Sequence, residues 1–331
     1  MKKKFIILAI IVAVLGVLSA VIFLLDFSKS EIKYGVTFSK QYASEELLLD
    51  WKETYLAILD DLKVDHIRLS AYWNETEPLP GVYKFDDLDW QISEASKRNV
   101  NIILAVGRRL PRWPECHDPI WLKNQNDETI QERQLKFVKK VIERYDSNSN
   151  IYYWQIENEP YLKYFGICPP LDKEFFKEEI LLAKELTDKP ILVTDSGELS
   201  IWFPVAKSGG DVLGTTLYKV VYNNIFGYFE WFLPPFYYFG KAYLVKSFTP
   251  IEKVIVAELQ AEAWHKGDKS LSQLTLNEAF ESVDLNQFKK NVSFSRRAGF
   301  DEIYLWGAEW WYMLKKDKGY DAFWEEAKKL W

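Results

Sequence analysis

The chain has 331 residues, 48% of them hydrophobic, and a formal net charge of −6. That length suffices for one large domain or two small ones with a substantial core. The acidic balance argues against nucleic acid, and against a polyanionic substrate, as the main partner.

At the N-terminus Lys2, Lys3 and Lys4 precede an uncharged apolar run from Phe5 to Leu25. At ~1.5 Å rise per residue, a helix over that run is about 30 Å long, enough to cross a bilayer. A cleaved signal peptide has a shorter apolar region and a small-x-small cleavage site. Here Leu18 stands two residues before Ala20, a poor match. The expectation is an uncleaved anchor within residues 1–30, crossing the membrane through 5–25, with the lysines cytoplasmic and the rest of the chain outside. The alternative is a cleaved signal and a secreted protein.

Beyond the anchor, short runs rich in Val and Ile alternate with charged amphipathic stretches of helical length. Strands are predicted over 32–39, 65–73, 100–107, 151–158, 190–196, 211–218, 253–259 and 302–308. Their continuous apolar character fits strands buried on both faces, as in a parallel sheet. Helices are predicted over 45–63, 129–146, 172–187 and 276–299. Eight strand–helix units in this length give the fold class α/β, a (β/α)8 TIM barrel spanning 31–331 and preceded by the transmembrane helix. No Gly-rich phosphate loop follows any strand, which counts against a doubly wound nucleotide-binding sheet. The aromatic segment 219–249 is the exception to the pattern. It could wall a cleft, lie on a membrane beside the anchor, or simply pack on the barrel.

In such barrels the active site gathers at the C-terminal ends of the strands. Strand two carries Arg68 and ends at Trp73. Strand three runs into "GRRLPRWPECHDPIW", where Arg108, Arg109, Arg112 and His117 could reach substrate or pair at the rim. Strand four ends in "IENEP", strand six at Tyr218, strand seven at Glu258, and strand eight carries Trp306. Glu159 and Glu258 therefore face one rim, and paired carboxylates suit glycoside hydrolysis. One must hold a proton for the leaving oxygen and the other must be ionised, with Arg68 as the natural partner of the ionised one. The 14 Trp and an aromatic share of 16% fit a stacking floor for sugar rings or a large aromatic core.

The residues "RLSAYWNETEPLPGVYKFDDLDW" (68–90), "NEP" (158–160) and "VIVAEL" (254–259) resemble the clan A glycoside hydrolases, the group holding many β-galactosidases, cellulases and β-mannanases. The resemblance implies a retaining β-glycosidase that needs no metal or organic cofactor. Glu159 would be the acid/base, Glu258 the nucleophile, and Asn158 a ligand of the sugar 2-hydroxyl. Tyr218 would bond the nucleophile and Trp306 would floor the subsite of the reacting sugar. Arg68, Trp73 and His117 complete the expected substrate contacts. Glu262 is a second candidate in the same segment and could contact substrate or brace His265. Glu157 stands two residues before Glu159, so strand alternation places both on one side with Glu157 deeper. The expected partner is an oligo- or polysaccharide with β-linkages. The alternatives are a transglycosylase on the same scaffold and a non-catalytic carbohydrate-binding barrel.

Cys116 and Cys168 fall in the loops after strands three and four. Adjacent strands bring those loops side by side, so a Cys116–Cys168 disulfide is expected outside the cytoplasm. There is no CxxC, and His66, His117 and His265 are scattered, so no metal site is expected.

Overall fold

A computed structural model describes residues 22–169, 171–264 and 269–331. Eight parallel strands close into a barrel: β1 (Lys33–Thr37), β2 (His66–Ser70), β3 (Asn101–Val106), β4 (Ile151–Ile156), β5 (Ile191–Asp195), β6 (Val212–Leu217), β7 (Lys253–Gln260) and β8 (Glu302–Trp306). Each strand pairs with its neighbour in sequence, and β8 pairs with β1 to close the ring. All eight strand predictions match, each to within a few residues at its ends.

The main helices are α1 (Trp51–Ala57), α2 (Asp86–Lys97), α3 (Asp127–Tyr145), α4 (Lys173–Leu186), α5 (Pro235–Phe248), α6 (Leu285–Arg297) and α7 (Ala308–Asp317). Two predicted helices break where capping chemistry intervenes. Residues 45–63 are interrupted at Leu48, whose φ is +57°, and resume where Asp50 accepts from the backbone N–H of Lys52 and Glu53. Residues 276–299 divide at Asp284, which caps α6 through the N–H of Gln287. Segment 219–249 is a hairpin, 220–223 against 227–230, followed by α5.

Side-chain alternation along the strands stacks the barrel interior in layers. Ile103, Tyr153, Leu192, Val212, Ile255 and Tyr304, one from each of β3 to β8, form a single apolar cluster. Two residues further along the strands stand Ala105, Gln155, Thr194, Gly214, Ala257 and Trp306. This second layer is mostly small, and it leaves room for the long side chain of Arg68. A Cβ on Gly214 would lie 2.8 Å from Ala257 Cβ and 3.0 Å from Thr194 Cγ2. The register also shifts in β7: Thr215 pairs with Val256 and Thr216 with Glu258, skipping Ala257. Such an irregularity re-aims the next side chain, and the next side chain is Glu258.

Among the described residues no helix is long and apolar enough to cross a membrane. The expected span over 5–25 falls on residues outside the described ones, except for its last four. His265 is likewise outside them.

Gly35 sets a tight approach between strands. A Cβ there would lie 2.5 Å from the Tyr304 ring and 2.9 Å from the His66 carbonyl. Gly35→Ala is expected to destabilise the barrel by about 1–3 kcal/mol through overpacking. Thermal unfolding checks this, and a melting temperature unchanged from wild type would contradict it.

Candidate active site

Arg68 is fully buried at the centre of the barrel's C-terminal rim. Its Nε donates to Gln155 Oε1 (2.7 Å), its Nη1 to Glu258 Oε1 (2.8 Å) and its Nη2 to Asn158 Oδ1 (2.7 Å). One guanidinium thus joins β2 to β7 and to the end of β4. Tyr218, just past β6, donates its hydroxyl to the other oxygen of Glu258 at 3.1 Å. Glu258 is therefore held at both oxygens, with a cation beside it.

Asn158 is equally constrained. Its Oδ1 accepts from Arg68, from Gln155 Nε2 (3.3 Å) and from Thr194 Oγ1 (3.2 Å). Three donors on one atom fix the amide orientation. Its Nδ2 then serves as a donor, 3.4 Å from Glu115 Oε2. The backbone N–H of Glu159 donates to Thr194 Oγ1 at 2.9 Å. Glu159 is buried, and burial pushes its carboxyl well above the ordinary range. The charges of Glu258, Glu115 and Asp195 push it further the same way, against Arg109. Two carboxyls on one rim are thus in unlike surroundings, one against a guanidinium and one in a buried acidic neighbourhood.

The turn after β4 departs from strand geometry. Glu157 has φ +59° and Glu159 φ +45°, left-handed conformations that cost about 1–3 kcal/mol each for non-glycine residues. The turn sends Glu157 away from Glu159, correcting the alternation argument, which holds only for extended backbone. Glu157 instead accepts from the backbone N–H of Arg108 and Arg109, each at 2.6 Å, and from Gln134 Nε2 at 2.7 Å on α3. It braces the loop after β3 from behind. Gln134 also donates to Glu179 on α4 at 2.5 Å.

Two expected substrate contacts are placed elsewhere. Trp73 is fully buried, stacked on Phe137 of α3 with ring centroids 5.3 Å apart, and its indole N–H donates to Glu77 at 2.7 Å. It belongs to the helix layer, because the chain turns into a short helix after β2 and carries the ring outward. His117 is buried against the Tyr72 ring, 4.2 Å between centroids, and its Nε2 lies 3.3 Å from the Arg112 carbonyl. Burial pushes its imidazole down to about 4, so it is neutral.

The arginines of the β3 loop divide by role. Arg108 pairs with Asp118 at 2.7 Å, and buried Arg109 donates to the carbonyls of Leu162 and Phe165, both at 3.0 Å. Arg112 reaches the rim. Its guanidinium lies between the Tyr42 ring (3.5 Å) and the Trp306 ring (4.0 Å), and it pairs with Glu262 and with Glu309 (3.3 Å). Tyr42 also donates to Glu262 at 3.1 Å. Glu262 is thus engaged by Arg112 and Tyr42, whereas Arg68 and Tyr218 select Glu258. Sequence reasoning did not single out Glu115, Glu309 or Tyr42, which come from a loop, a helix and a short helical segment with no motif around them. Cys116 and Cys168 are joined as a disulfide, as expected.

A family model described as beta-galactosidase, of glycoside hydrolase family 42, matches residues 42–178. That stretch includes Arg68 and Glu159 and stops short of Glu258. The beta-galactosidase BgaA of Clostridium cellulovorans is 26% identical over 221 residues, covering 58% of this chain and 32% of that protein. The matched region is about a third of the curated relative's length. Among solved structures, the cold-adapted beta-galactosidase of Rahnella sp. R3 is similar with a TM-score of 0.61 at 12% identity, over 92% of this chain and 56% of that one. A family GH5 protein of Bifidobacterium longum, solved with Manβ1-4GlcNAc, gives a TM-score of 0.60 at 13% identity, over 83% and 68%. At such identities the structural likeness establishes the fold. The chain resembles the clan A glycoside hydrolases and shares their eight-stranded parallel barrel.

The buried carboxyls give stability a definite pH dependence. Asp195 is pushed up to about 6, Glu157, Glu198 and Glu309 to about 7 and Glu115 to about 8, in each case first by burial. Unfolded, each loses its proton near the ordinary carboxyl value; folded, each keeps it to higher pH. The folded state therefore binds more protons above about pH 4.5, and the free energy of unfolding falls as pH rises toward about 8. Melting temperatures measured across that range should decline; a rise would contradict these placements.

Proposed function

We propose that the protein is a retaining β-glycosidase in which Glu159 is the acid/base and Glu258 the nucleophile. The observation that carries this reading is the buried Arg68, bonded at once to Glu258 and to Asn158, beside a Glu159 whose surroundings favour its protonated form. The family model and the relatives support glycosidase chemistry in general, and the residue roles rest on the geometry.

In the first step a Glu258 oxygen attacks the anomeric carbon as the glycosidic C–O bond breaks. The bonding pair leaves with the departing oxygen, which takes the Glu159 proton. In the second step the Glu159 carboxylate takes a proton from water, and the water oxygen displaces Glu258 from the anomeric carbon. Both carboxyls return to their starting states and the anomeric configuration is retained. Arg68 and Tyr218 hold Glu258 in line and offset its negative charge. Asn158 Nδ2, its amide already oriented, donates to the 2-hydroxyl of the reacting sugar. Trp306, with Arg112 over its ring, walls the pocket of that sugar, and Glu262 acts by holding Arg112 there. Transfer to a sugar acceptor in place of water would use the same residues.

The test is small-nucleophile rescue on aryl β-glycosides. Glu159→Ala should lower turnover by about 10²–10⁴-fold, least on the best leaving groups, and azide should restore it with a β-glycosyl azide as product. Glu258→Ala should lose activity on all of them, and azide should yield the α-glycosyl azide. Wild-type rates in either variant would remove that residue from its role.

We also propose that the protein is anchored in the cell membrane through residues 5–25, with the barrel outside the cytoplasm. Residues 22–27, the last four of that run and the two that follow it, lie along the barrel's flank. The Phe23 ring is 4.8 Å from Phe232 and the Phe27 ring 3.9 Å from Phe239, while the N–H of Phe27 donates to the Arg297 carbonyl at 3.0 Å. Beside that exit point Phe232 and Phe236 expose apolar surface, of the kind that suits an interface with lipid. The full-length, uncleaved chain should stay with membranes through an alkaline carbonate wash and be open to protease from outside. A soluble, shortened product would favour secretion.

A further inference from the structure

Behind the turn that carries Glu159 lie two acids with no part in the chemistry. Glu157 and Glu179 are both fully buried, and so is Gln134 between them. One nitrogen, Gln134 Nε2, donates to both, at 2.7 Å to Glu157 Oε1 and at 2.5 Å to Glu179 Oε1. Two oxygens bonded to one nitrogen belong to carboxyls within about 5 Å of each other.

Their surroundings differ. Glu157 takes three N–H donors, from Gln134 and from the backbone of Arg108 and Arg109, and donors of this kind favour the charged form. Glu179 takes the Gln134 donor alone at Oε1, and its Oε2 is buried with no donor among the described residues. The cations of the β3 loop are engaged elsewhere, Arg108 with Asp118 and Arg109 with the carbonyls of Leu162 and Phe165. The other titratable groups that bear on Glu179 are Glu178, exposed beside it on α4, and the hydroxyl of Tyr161. Neither brings a positive charge.

Two ionised carboxylates here would be a buried double charge with no counter-ion bonded to either, which a protein interior does not tolerate. A proton on Glu179 removes one of the charges. It also turns the orphaned carboxyl into a donor beside the Glu157 carboxylate. Burial, and then the charge of Glu157, push the Glu179 carboxyl well above the ordinary range.

We propose that Glu157 and Glu179 hold a single proton between them at and just above neutral pH, carried by Glu179, and that this proton keeps the catalytic turn in place. The two are positioning residues. Glu157 fastens the N–H groups of Arg108 and Arg109, the Arg109 carbonyl accepts from the N–H of Asn158 at 2.7 Å, and Glu159 follows. Loss of the proton would set two adjoining anions against each other and free the β3 loop from the turn. The consequence for activity rests on the glycosidase reading above; the shared proton does not.

The test replaces Glu179 by Gln in the full-length chain. The amide keeps the shape and offers Glu157 an N–H that never titrates. Equilibrium unfolding in denaturant is followed from about pH 7 to about pH 8. Over that range an unfolded Glu179 is ionised and the folded one protonated, so folding takes up one proton that Glu179→Gln cannot. The unfolding constant should therefore rise about tenfold less per pH unit in the variant than in wild type. Activity is read on 2,4-dinitrophenyl β-glycosides, whose leaving group departs without a proton, so the alkaline fall of kcat/KM does not report Glu159 as proton donor. That fall should move up by about one pH unit or more in Glu179→Gln. The protection of the Arg108 and Arg109 amides against hydrogen exchange should persist to correspondingly higher pH. Equal pH slopes of unfolding in the two chains would show Glu179 ionised when folded and overturn the proposal. A Glu179→Gln chain that does not fold would overturn it too, since the amide can make every bond assigned to the protonated acid. A changed slope with the alkaline fall and the amide protection both unmoved would leave the proton no hold on the site and overturn the positioning role. If wild type hydrolyses no glycoside, the glycosidase reading fails by itself, and the slope and the amide protection still decide the pair.

Discussion

The site is organised around a cation in the middle of the barrel. Arg68 has no exposure to solvent and every bond it makes reaches another strand or the turn that ends one: Gln155 on β4, Asn158 just beyond it, and Glu258 on β7. A buried guanidinium is tolerated only when its donors are satisfied and a negative charge is close. Glu258 supplies that charge at Nη1, and the amide oxygens of Gln155 and Asn158 accept from the other two nitrogens. The arrangement runs both ways. The protein must keep a carboxylate beside Arg68 to bury it, and by doing so it holds a carboxylate in place at the rim.

The rest of the fold makes space for that pair and turns the other carboxyl toward it. The lower interior layer is filled with Tyr, Leu, Ile and Val, while the layer level with Arg68 includes Ala105, Thr194, Gly214 and Ala257. The register shift in β7 turns Glu258 inward to Arg68. On the opposite side, two left-handed residues in a row of three re-aim β4's end, so that Glu157 faces the helices and Glu159 the cleft. That strained turn is held by at least four bonds to its neighbours, from Arg108, Arg109 and Gln134 to Glu157 and from the N–H of Glu159 to Thr194. The cost of the turn is met by a surrounding structure that leaves it no alternative.

What the sequence disclosed and what it hid follow from the range of the forces involved. The strands were readable because a doubly buried strand must be apolar over its whole length, and the Val- and Ile-rich runs stand out from charged helices. The ends of those strands named Arg68, Asn158, Glu159, Tyr218 and Glu258, since the barrel fixes where a strand end must lie. Trp73 was misplaced because one helical turn after β2 swings its ring outward, a local choice that residue type does not reveal. Glu157 was misplaced because alternation was carried through a residue with φ +59°. Arg112 could be seen only as one of three loop arginines. Its seat between Tyr42 and Trp306 depends on contacts across 70 and 194 positions of sequence (112 − 42 and 306 − 112), which only the closed barrel brings together. The disulfide was readable for the opposite reason: two cysteines, each in a loop after adjacent strands, leave one pairing.

The central claim is that Glu258 attacks the sugar while Glu159 manages the proton. A mechanism-based trap tests it most directly. 2-Deoxy-2-fluoro-β-glycosyl fluorides slow the second step, so a retaining enzyme accumulates as its glycosyl ester. Incubation with the galactosyl, glucosyl and mannosyl forms, followed by proteolysis and mass spectrometry, should find one added fluorosugar on the peptide holding Glu258, with none on Glu159 or Glu262. A label on Glu262, or an enzyme that turns over β-glycosides yet never accumulates an ester, would contradict the account.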